Sequence, residues 1–203
     1  ANVNDPTRQI VTGRGNLSFT SFNLPRLALL SNGNLGDFYQ RLDDIIALCI
    51  DQILDRFEIQ CRKKIRNFPF LMGNGIWLDS EKLGPDDELR EVLRHGTLSI
   101  GFIGLAETLK ALTGRHHGES AEAQKLGLEI IGHIRKRLDE AAQKHKLNFT
   151  LLATPAEGLA GRFVNIDRKR FGVITENTDK EYYTNSFHIP VYFLFCAYVK
   201  ILL

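Results

Sequence analysis

The sequence has few of the features that mark secreted or nucleic-acid-binding proteins. Its 203 residues include 3 cysteines, Cys49, Cys61 and Cys196, which form no CxxC pair. The polar start, ANVNDPTRQ, does not resemble a secretory segment, so we expect a reducing compartment, the cytoplasm. Lys and Arg number 26 against 24 Asp and Glu, in mixed-sign clusters. This balance predicts no nucleic-acid partner and no membrane partner, and any anionic ligand must be small and locally bound.

No apolar run is long enough to predict a transmembrane helix. The most apolar stretch, IPVYFLFCAYVKILL at 189–203, contains Pro190 and Lys200. The run between them is well short of the ~20 residues that a membrane helix needs, so we predict a buried strand. Because the chain opens without Met and ends on apolar residues, we also expect it to be a piece of a longer protein.

Strand-like and helix-like segments alternate along the chain, with no repeat, low-complexity tract or linker. This order favours a parallel or mostly parallel α/β arrangement, and four or five strands are too few to close a barrel. Gly101 and Gly104 are expected to allow close approach of a following helix. Strands are predicted at 15–23, 97–105, 148–153 and about 183–195, and helices at 35 to about 66, 106–112, 121–145 and from the turn at 154–158 to about 163. The helix at 121–145 is expected to turn inward Leu126, Leu128, Ile130, Ile131, Ile134 and Leu138.

The strongest local signal is the sequence Thr-Pro-Ala-Glu-Gly at 154–158, between an apolar strand and a helix. Backbone N–H groups at such a helix start lie at the positive end of the helix dipole and suit a phosphate. The same residues also predict an ordinary helix start, with Thr154 as N-cap, Glu157 as its capping-box partner and Pro155 at the first helical position. The residues alone leave both interpretations open.

A second polar candidate is Asn16, which ends the glycine-rich segment GRGN at 13–16. The segment precedes a strand rather than a helix, so it is no dinucleotide fingerprint. It predicts either a simple turn into a strand or an asparagine whose amide hydrogen-bonds a polar ligand through both ends.

Three further groups of residues have polar or reactive side chains. Cys49 lies on an apolar helix stripe and is expected to be a core residue. The segment YYTNSFH at 182–188 either lines a pocket or satisfies a polar layer of the core. Four residues lack the spacing of a zinc site and are expected in a solvated loop and helix start: His116, His117, Glu119 and His133.

Four segments, in order and covering nearly the whole chain, resemble the catalytic barrel of the anaerobic, class III ribonucleoside-triphosphate reductases. They are GRGNLSFTSFNLPRL (13–27), HGTLSIGFIGLAETLKALTG (95–114) followed by HHGES, LLATPAEGLAGRF (151–163) and TDKEYYTNSFHIPVY (178–192). After Tyr192 the sequence departs from the family's pattern.

The resemblance implies a glycyl radical enzyme built on a ten-stranded α/β barrel. This chain would form part of that barrel, as a single partial catalytic barrel domain at 1–203. In that family a glycyl radical generates a thiyl radical that starts the reduction of ribonucleoside triphosphates to deoxyribonucleoside triphosphates, with formate as reductant in many members. The family also implies a structural zinc, ATP and dNTP effectors, a radical-SAM activating enzyme and a homodimer. The finger-loop cysteine, glycyl radical segment, zinc site and ATP-cone are expected outside this chain, which should be inactive alone.

Two sites follow from the resemblance by position. Asn16 matches the family's active-site asparagine, near the ribose and the formate pocket. The family's turn for the substrate phosphates matches Thr154, Pro155, Ala156, Glu157, Gly158 and Leu159. Many relatives carry Ser rather than Gly at position 158, so one phosphate contact is expected to be weaker here. We expect the turn and Asn16 to face one hollow.

Two other functions remain as alternatives, a non-catalytic nucleotide-binding remnant and another glycyl radical enzyme such as a formate-lyase type. A phosphate turn argues against the second, because a substrate without phosphate does not need it. A partial barrel also exposes a strand edge and apolar surface, which predicts aggregation or dimerisation.

Overall fold

Strands and helices alternate along the part of the chain that the structure, a computed structural model, describes: residues 12–193 together with Val3, Pro6 and Thr7. The strands are β1 (Asn16–Asn23), β2 (Thr97–Ile103) and β3 (Asn148–Ala153). The helices are α1 (Leu24–Ser31), α2 (Leu35–Cys61), α3 (Arg90–Leu93), α4 (Leu105–Thr113), α5 (Ala121–His145) and α6 (Glu157–Phe171), with short 3-10 turns at Ile65–Asn67 and Ser80–Lys82. None of the helices described is long and apolar enough to cross a membrane.

The three strands form one parallel sheet in the order β1, β2, β3, which confirms the predicted α/β fold class. The central strand, β2, buries every residue after Thr97. Its sequence, TLSIGFI, is apolar apart from Thr97 and Ser99, as expected for a parallel strand that is covered on both faces. The side chains of β2 are therefore available to position residues on the two neighbouring strands.

The described chain divides into two compact units, and each strand contributes residues to both. The first unit comprises Ala1–Thr20, Ala47–Ile100 and Arg135–Leu151, and the second comprises Ser21–Ile46, Gly101–Ile134 and Leu152–Leu203. The single partial barrel domain expected at 1–203 stays a prediction.

In the first unit, the part of α2 from Ala47 onward and the part of α5 from Arg135 onward bury apolar residues at helical spacing. The α2 stripe includes Cys49, Ile53 and Phe57, so the expected core position of Cys49 is confirmed. The segment at 67–87 consists of turns, bends and short 3-10 turns, and it contains Trp77, the one tryptophan of the chain. Its ring is buried, and its Nε1–H donates to the Val92 carbonyl at 2.8 Å.

Side chains of α2 also bind carbonyl groups of β1, an outer strand of the described sheet. Arg56 Nη1 donates to the Phe19 carbonyl at 3.0 Å, and Gln60 Nε2 donates to the Leu17 carbonyl at 3.2 Å. Carbonyls that already accept a hydrogen bond are less available for pairing with another strand. The expected aggregation stays a prediction, and these contacts oppose one route to it.

In the second unit, the chain turns directly from β1 into α1, a helix that the sequence analysis missed. The Asn23 side chain caps α1 by accepting a hydrogen bond from the backbone N–H of Arg26 at 3.1 Å. Pro25 lies in the first turn of α1, where its missing N–H is not needed. Pro25 therefore lies at the start of a helix as well as after a strand. Helix α1 packs against α4.

Several expected boundaries are wrong. Helix α2 ends at Cys61 rather than near residue 66, and α6 continues to Phe171 rather than ending near residue 163. No strand forms at 183–193, where turns and bends replace the expected strand, and the rest of that strand and of the apolar stretch at 189–203 lies outside the described residues. Leu128 is 70% exposed rather than turned inward.

Candidate functional site

The turn at 154–158 is anchored through its first residue. Thr154 is only 2% exposed, and its backbone N–H donates to the Phe102 carbonyl at 3.3 Å. Its hydroxyl makes a hydrogen bond with the Ser21 hydroxyl, with 2.6 Å between the two oxygens. Both the backbone and the side chain of Thr154 are therefore fixed before the turn leaves the sheet.

Gly101 on β2 makes room for Thr154. A Cβ atom at Gly101 would overlap the Thr154 hydroxyl and lie 2.8 Å from the Leu152 carbonyl oxygen and 3.0 Å from the Ser21 hydroxyl. The expectation that Gly101 admits a following helix is therefore wrong, because the group that approaches it is a neighbouring strand end. Gly104, whose φ is +88°, is approached by Pro25 of α1. A Cβ atom added at Gly104 would lie 2.6 Å from the proline Cδ.

Helix α6 begins without a side-chain cap. Its N-cap residue is Ala156, which makes no side-chain cap hydrogen bond, while the Thr154 hydroxyl is engaged with Ser21. The predicted capping box of Thr154 and Glu157 is therefore wrong. The first backbone N–H groups of a helix have no partner within it, so this start can donate several hydrogen bonds to an anion.

The surroundings of this helix start leave space for a ligand. Gly158 is exposed, and a Cβ added there would meet nothing within 4 Å. Pro155 and Glu157 are also exposed, while Leu159 packs against a cluster formed by Ile103, Ala160, Val164 and Tyr183. The Glu157 carboxylate is attracted to the same positive helix end as a bound anion would be. Because Glu157 is exposed, its side chain can turn away from that end.

Asn16 lies in the first unit, at the start of β1, with its side chain exposed. Its side-chain oxygen accepts a hydrogen bond from the buried Ser99 hydroxyl at 3.0 Å. The turn at 154–158 belongs to the second unit. That the turn and Asn16 face one hollow stays a prediction.

Two buried carboxylates, which the sequence analysis did not single out, hold the segment 182–188. Glu107 Oε1 accepts hydrogen bonds from the Thr184 hydroxyl at 2.7 Å and from Lys180 Nζ at 2.9 Å. Asp167 Oδ2 accepts one from the Tyr183 hydroxyl at 2.9 Å. Of the two interpretations of YYTNSFH, these contacts favour the polar layer.

Asp167 also joins this layer to the start of α1. Its two oxygens accept hydrogen bonds from Asn23 Nδ2 and Arg26 Nε, each at 2.6 Å. Burial and then the Asp167 charge raise the pKa of Tyr183, so the phenol keeps its proton and stays a donor. The two buried carboxylates, Glu107 and Asp167, thus each have several partners, as burial requires.

Comparison with known proteins decides the family. The family model described as anaerobic ribonucleoside-triphosphate reductase matches residues 2–202. The chain belongs to this family. The chain is 35% identical over 191 residues to the anaerobic ribonucleoside-triphosphate reductase of Escherichia coli (strain K12), covering 93% of this chain and 26% of that protein. It is 32% identical over 189 residues to that of Enterobacteria phage T4, covering 90% and 29% respectively.

Solved structures of anaerobic ribonucleotide reductases share the fold of this chain. One has a TM-score of 0.72 at 22% identity, with 89% of this chain and 26% of that chain covered. Another, from Thermotoga maritima in complex with dATP and CTP, has a TM-score of 0.66 at 20% identity, with 89% and 28% covered. The predicted part of a glycyl radical enzyme barrel is consistent with these matches. The chain thus spans about a quarter of the length of most of these relatives.

His116 and His117 are not solvated as expected. His116 is 2% and His117 8% exposed, and His117 Nε2 lies 2.9 Å from the Phe187 carbonyl oxygen. The His116 ring contacts the Phe193 ring, and His133 pairs with Asp43 at 2.7 Å. In the described ranges no group of three or more His, Cys, Asp or Glu side chains is placed to hold a metal ion.

Because these two histidines are buried, the chain should lose stability in mild acid. Burial lowers the pKa of His116, and the raising effect of the Glu119 carboxylate only partly opposes it; burial also lowers the pKa of His117. The unfolded chain then binds protons first as the pH falls below about 6.5, and stability decreases by up to about 1.4 kcal/mol per pH unit for each histidine. Urea unfolding at pH 7.5 and at lower pH would measure the loss.

Matched variants separate this acid sensitivity from general acid denaturation. His117→Gln keeps a side-chain donor for the Phe187 carbonyl and should flatten the pH dependence. His188→Gln, which changes an exposed histidine, should leave it unchanged. Equal slopes in both variants would show that burial of His117 does not cause the effect.

Proposed function

We propose that this chain supplies the substrate-phosphate turn and the sugar-pocket asparagine of an anaerobic enzyme that reduces ribonucleoside triphosphates to deoxyribonucleoside triphosphates by radical chemistry. The observation that carries the proposal is the uncapped start of α6, which follows directly on β3 within the segment LLATPAEGLAGRF. The family match over residues 2–202 supplies the reaction class.

In this proposal the turn acts through its backbone. Thr154, fixed by Ser21 and Phe102, directs the chain so that the N–H groups at 157–159 donate to phosphate oxygens. The helix dipole adds a favourable interaction with the negative charge. Asn16 holds a sugar hydroxyl or a small carboxylate through its amide. The triphosphate is the part of the substrate that the turn recognises.

The described cysteines do not fit the radical step. Cys49 and Cys61 are buried, and burial raises the pKa of each to about 11. Both lie in the buried stripe of α2, and neither matches the position of the family's radical cysteine. We therefore propose that the radical cysteine and the glycyl radical belong to other parts of the whole cytoplasmic enzyme, which uses formate as its reductant. The same holds for its structural zinc, ATP and dNTP effector sites, activating enzyme contacts and homodimer interface. Deoxynucleotide formation by this chain alone after anaerobic activation would contradict the proposal.

Position 158 offers a direct test of the phosphate turn. Gly158→Ser adds a hydroxyl into open space and should strengthen CTP binding by about 3-fold to 10-fold, the value of one further hydrogen bond. Gly158→Ala adds only a methyl group and is the matched control, with little change expected. Amide chemical shifts at 157–159 in ¹⁵N-labelled chain, followed as CTP or inorganic triphosphate is added, would give the affinities even when binding is weak.

A charged substitution at the same position separates binding from folding. Gly158→Asp places a carboxylate at the helix start, which should leave stability unchanged or raise it by about 0.3–1 kcal/mol. The same carboxylate repels phosphate, so CTP binding should fall more than 10-fold. Unchanged binding in Gly158→Asp, or no response at 157–159 in the unsubstituted chain, would overturn the phosphate turn.

A further inference from the structure

One hydrogen bond determines which end of the Asn16 side chain is left for a ligand. A carboxamide carries an oxygen that accepts and an NH₂ group that donates. The Ser99 hydroxyl donates to Asn16 Oδ1 at 3.0 Å, so the oxygen is the end engaged with the protein. The exposed remainder of the side chain is the Nδ2 group.

Ser99 is a buried polar side chain on an otherwise apolar part of β2. It is 4% exposed, and the rest of β2 from Leu98 to Ile103 is apolar and buried. A buried hydroxyl costs free energy unless it has a hydrogen-bond partner, and Asn16 provides one. The pairing of the strands fixes the contact, because the Thr97 N–H donates to the Gly15 carbonyl at 2.9 Å, one residue before Asn16.

We propose that Ser99 is a positioning residue that orients the Asn16 carboxamide with its Nδ2 hydrogens toward the ligand. The site then recognises a hydrogen-bond acceptor, an oxygen of a small carboxylate or of a sugar hydroxyl, and disfavours a ligand that can only donate. Without the Ser99 hydroxyl the amide can rotate and present its oxygen instead, which repels a carboxylate. This inference rests on the proposed function of Asn16 as a ligand-binding residue.

The Asn16 side-chain NH₂ signals of the ¹⁵N-labelled chain report the orientation directly. They are assigned by their loss in Asn16→Asp and followed as sodium formate is added, in one arm, or CTP, in the other, with sodium chloride as the ionic-strength control. A shift with formate identifies a carboxylate ligand, and a shift with CTP alone identifies the sugar hydroxyl. Either shift, saturable in the unsubstituted chain, is the expected result.

Three substitutions at Ser99 test its role. Ser99→Ala removes the hydroxyl and should weaken the response at Asn16 at least 5-fold, while Ser99→Thr keeps the hydroxyl and should restore it to within about 2-fold. If Ser99→Ala does not fold, Ser99→Cys, which keeps the volume with only a weak donor, takes its place. Circular dichroism melting of each variant shows whether a change in stability accompanies the loss.

The outcomes distinguish this inference from the function it rests on. Equal affinity and equal Asn16 shifts in the unsubstituted chain and Ser99→Ala would overturn the role of Ser99. No response at Asn16 to either probe would overturn the ligand site at Asn16, and the inference with it. In that case a CTP response at 157–159 would still support the phosphate turn. No CTP response at 157–159 would overturn the phosphate turn as well as the ligand site at Asn16.

Discussion

Gly101→Ala should lower the free energy of unfolding by about 3 kcal/mol, at the upper end of the usual cost of adding a methyl group to a packed interior. The new Cβ would overlap the Thr154 hydroxyl, and its 2.8 Å distance to the Leu152 oxygen involves backbone that cannot rotate away. Urea unfolding followed by circular dichroism would measure the loss. Stability equal to that of the unsubstituted chain would contradict the packing described here.

Two further variants identify the cause of the loss. Gly132→Ala in α5, where a Cβ meets nothing within 4 Å, should instead raise stability by up to about 1 kcal/mol through helix propensity. Thr154→Ala removes the overlapping hydroxyl, so the double variant Gly101→Ala, Thr154→Ala should be less destabilised than the sum of the two single changes. Strict additivity would show that Thr154 is not the group that Gly101 accommodates.

Glu107→Ala should cost about 3–5 kcal/mol, the range for removing one partner of a buried ion pair. The Glu107 side chain is fully buried, and the Lys180 side chain is only 14% exposed. Without the carboxylate, the Lys180 ammonium and the Thr184 hydroxyl lose their acceptor and the segment 182–188 loses one of its attachments. The measurement is again the urea midpoint and slope by circular dichroism.

An exposed ion pair in the same chain is the control for this prediction. Glu58 pairs with Arg90 at the surface, and Glu58→Ala should cost less than about 1 kcal/mol. The double variant Glu107→Ala, Lys180→Met removes both buried charges and should be less destabilised than Glu107→Ala alone. Similar costs for Glu58→Ala and Glu107→Ala would contradict the assigned burial.

The elements that the sequence predicts best are those with a local cause. The bounds of α5 and β3 agree with the predicted 121–145 and 148–153, because a 3.6-residue period and a short apolar run each identify their own structure. Leu128 shows the limit of this argument. Its spacing fits the buried stripe, but no part of the described chain covers it enough to bury it.

The features that the sequence failed to predict depend on residues far apart in the chain. Glu107 lies in a helix where a carboxylate is normally exposed, and its partner Lys180 lies 73 residues further on. The strand expected at 183–193 does not form, and the polar side chains at its start serve Glu107 and Asp167 instead. The burial of His116 and His117 likewise depends on Phe187 and Phe193.

The candidate site divides in the same way. The position of the proposed phosphate turn follows from strand, proline and helix in immediate succession, which are visible in the sequence. The contacts that hold the candidate residues in place are not visible in the sequence. Gly101 is needed because the Thr154 side chain lies against it, and the Ser99 hydroxyl binds the Asn16 side chain. Pairs of this kind are set by the register of neighbouring strands, for which a single sequence carries little signal.

Trp77 gives the chain a natural optical probe of half of the molecule. It is the only indole in the sequence and belongs to the first unit, whereas Gly101 and Glu107 belong to the second. Fluorescence excited selectively at the indole therefore follows melting of the first unit, while circular dichroism follows the helices of both. Coincident transitions in Gly101→Ala would show that damage in one unit is transmitted to the other, and separate transitions would show that each melts independently.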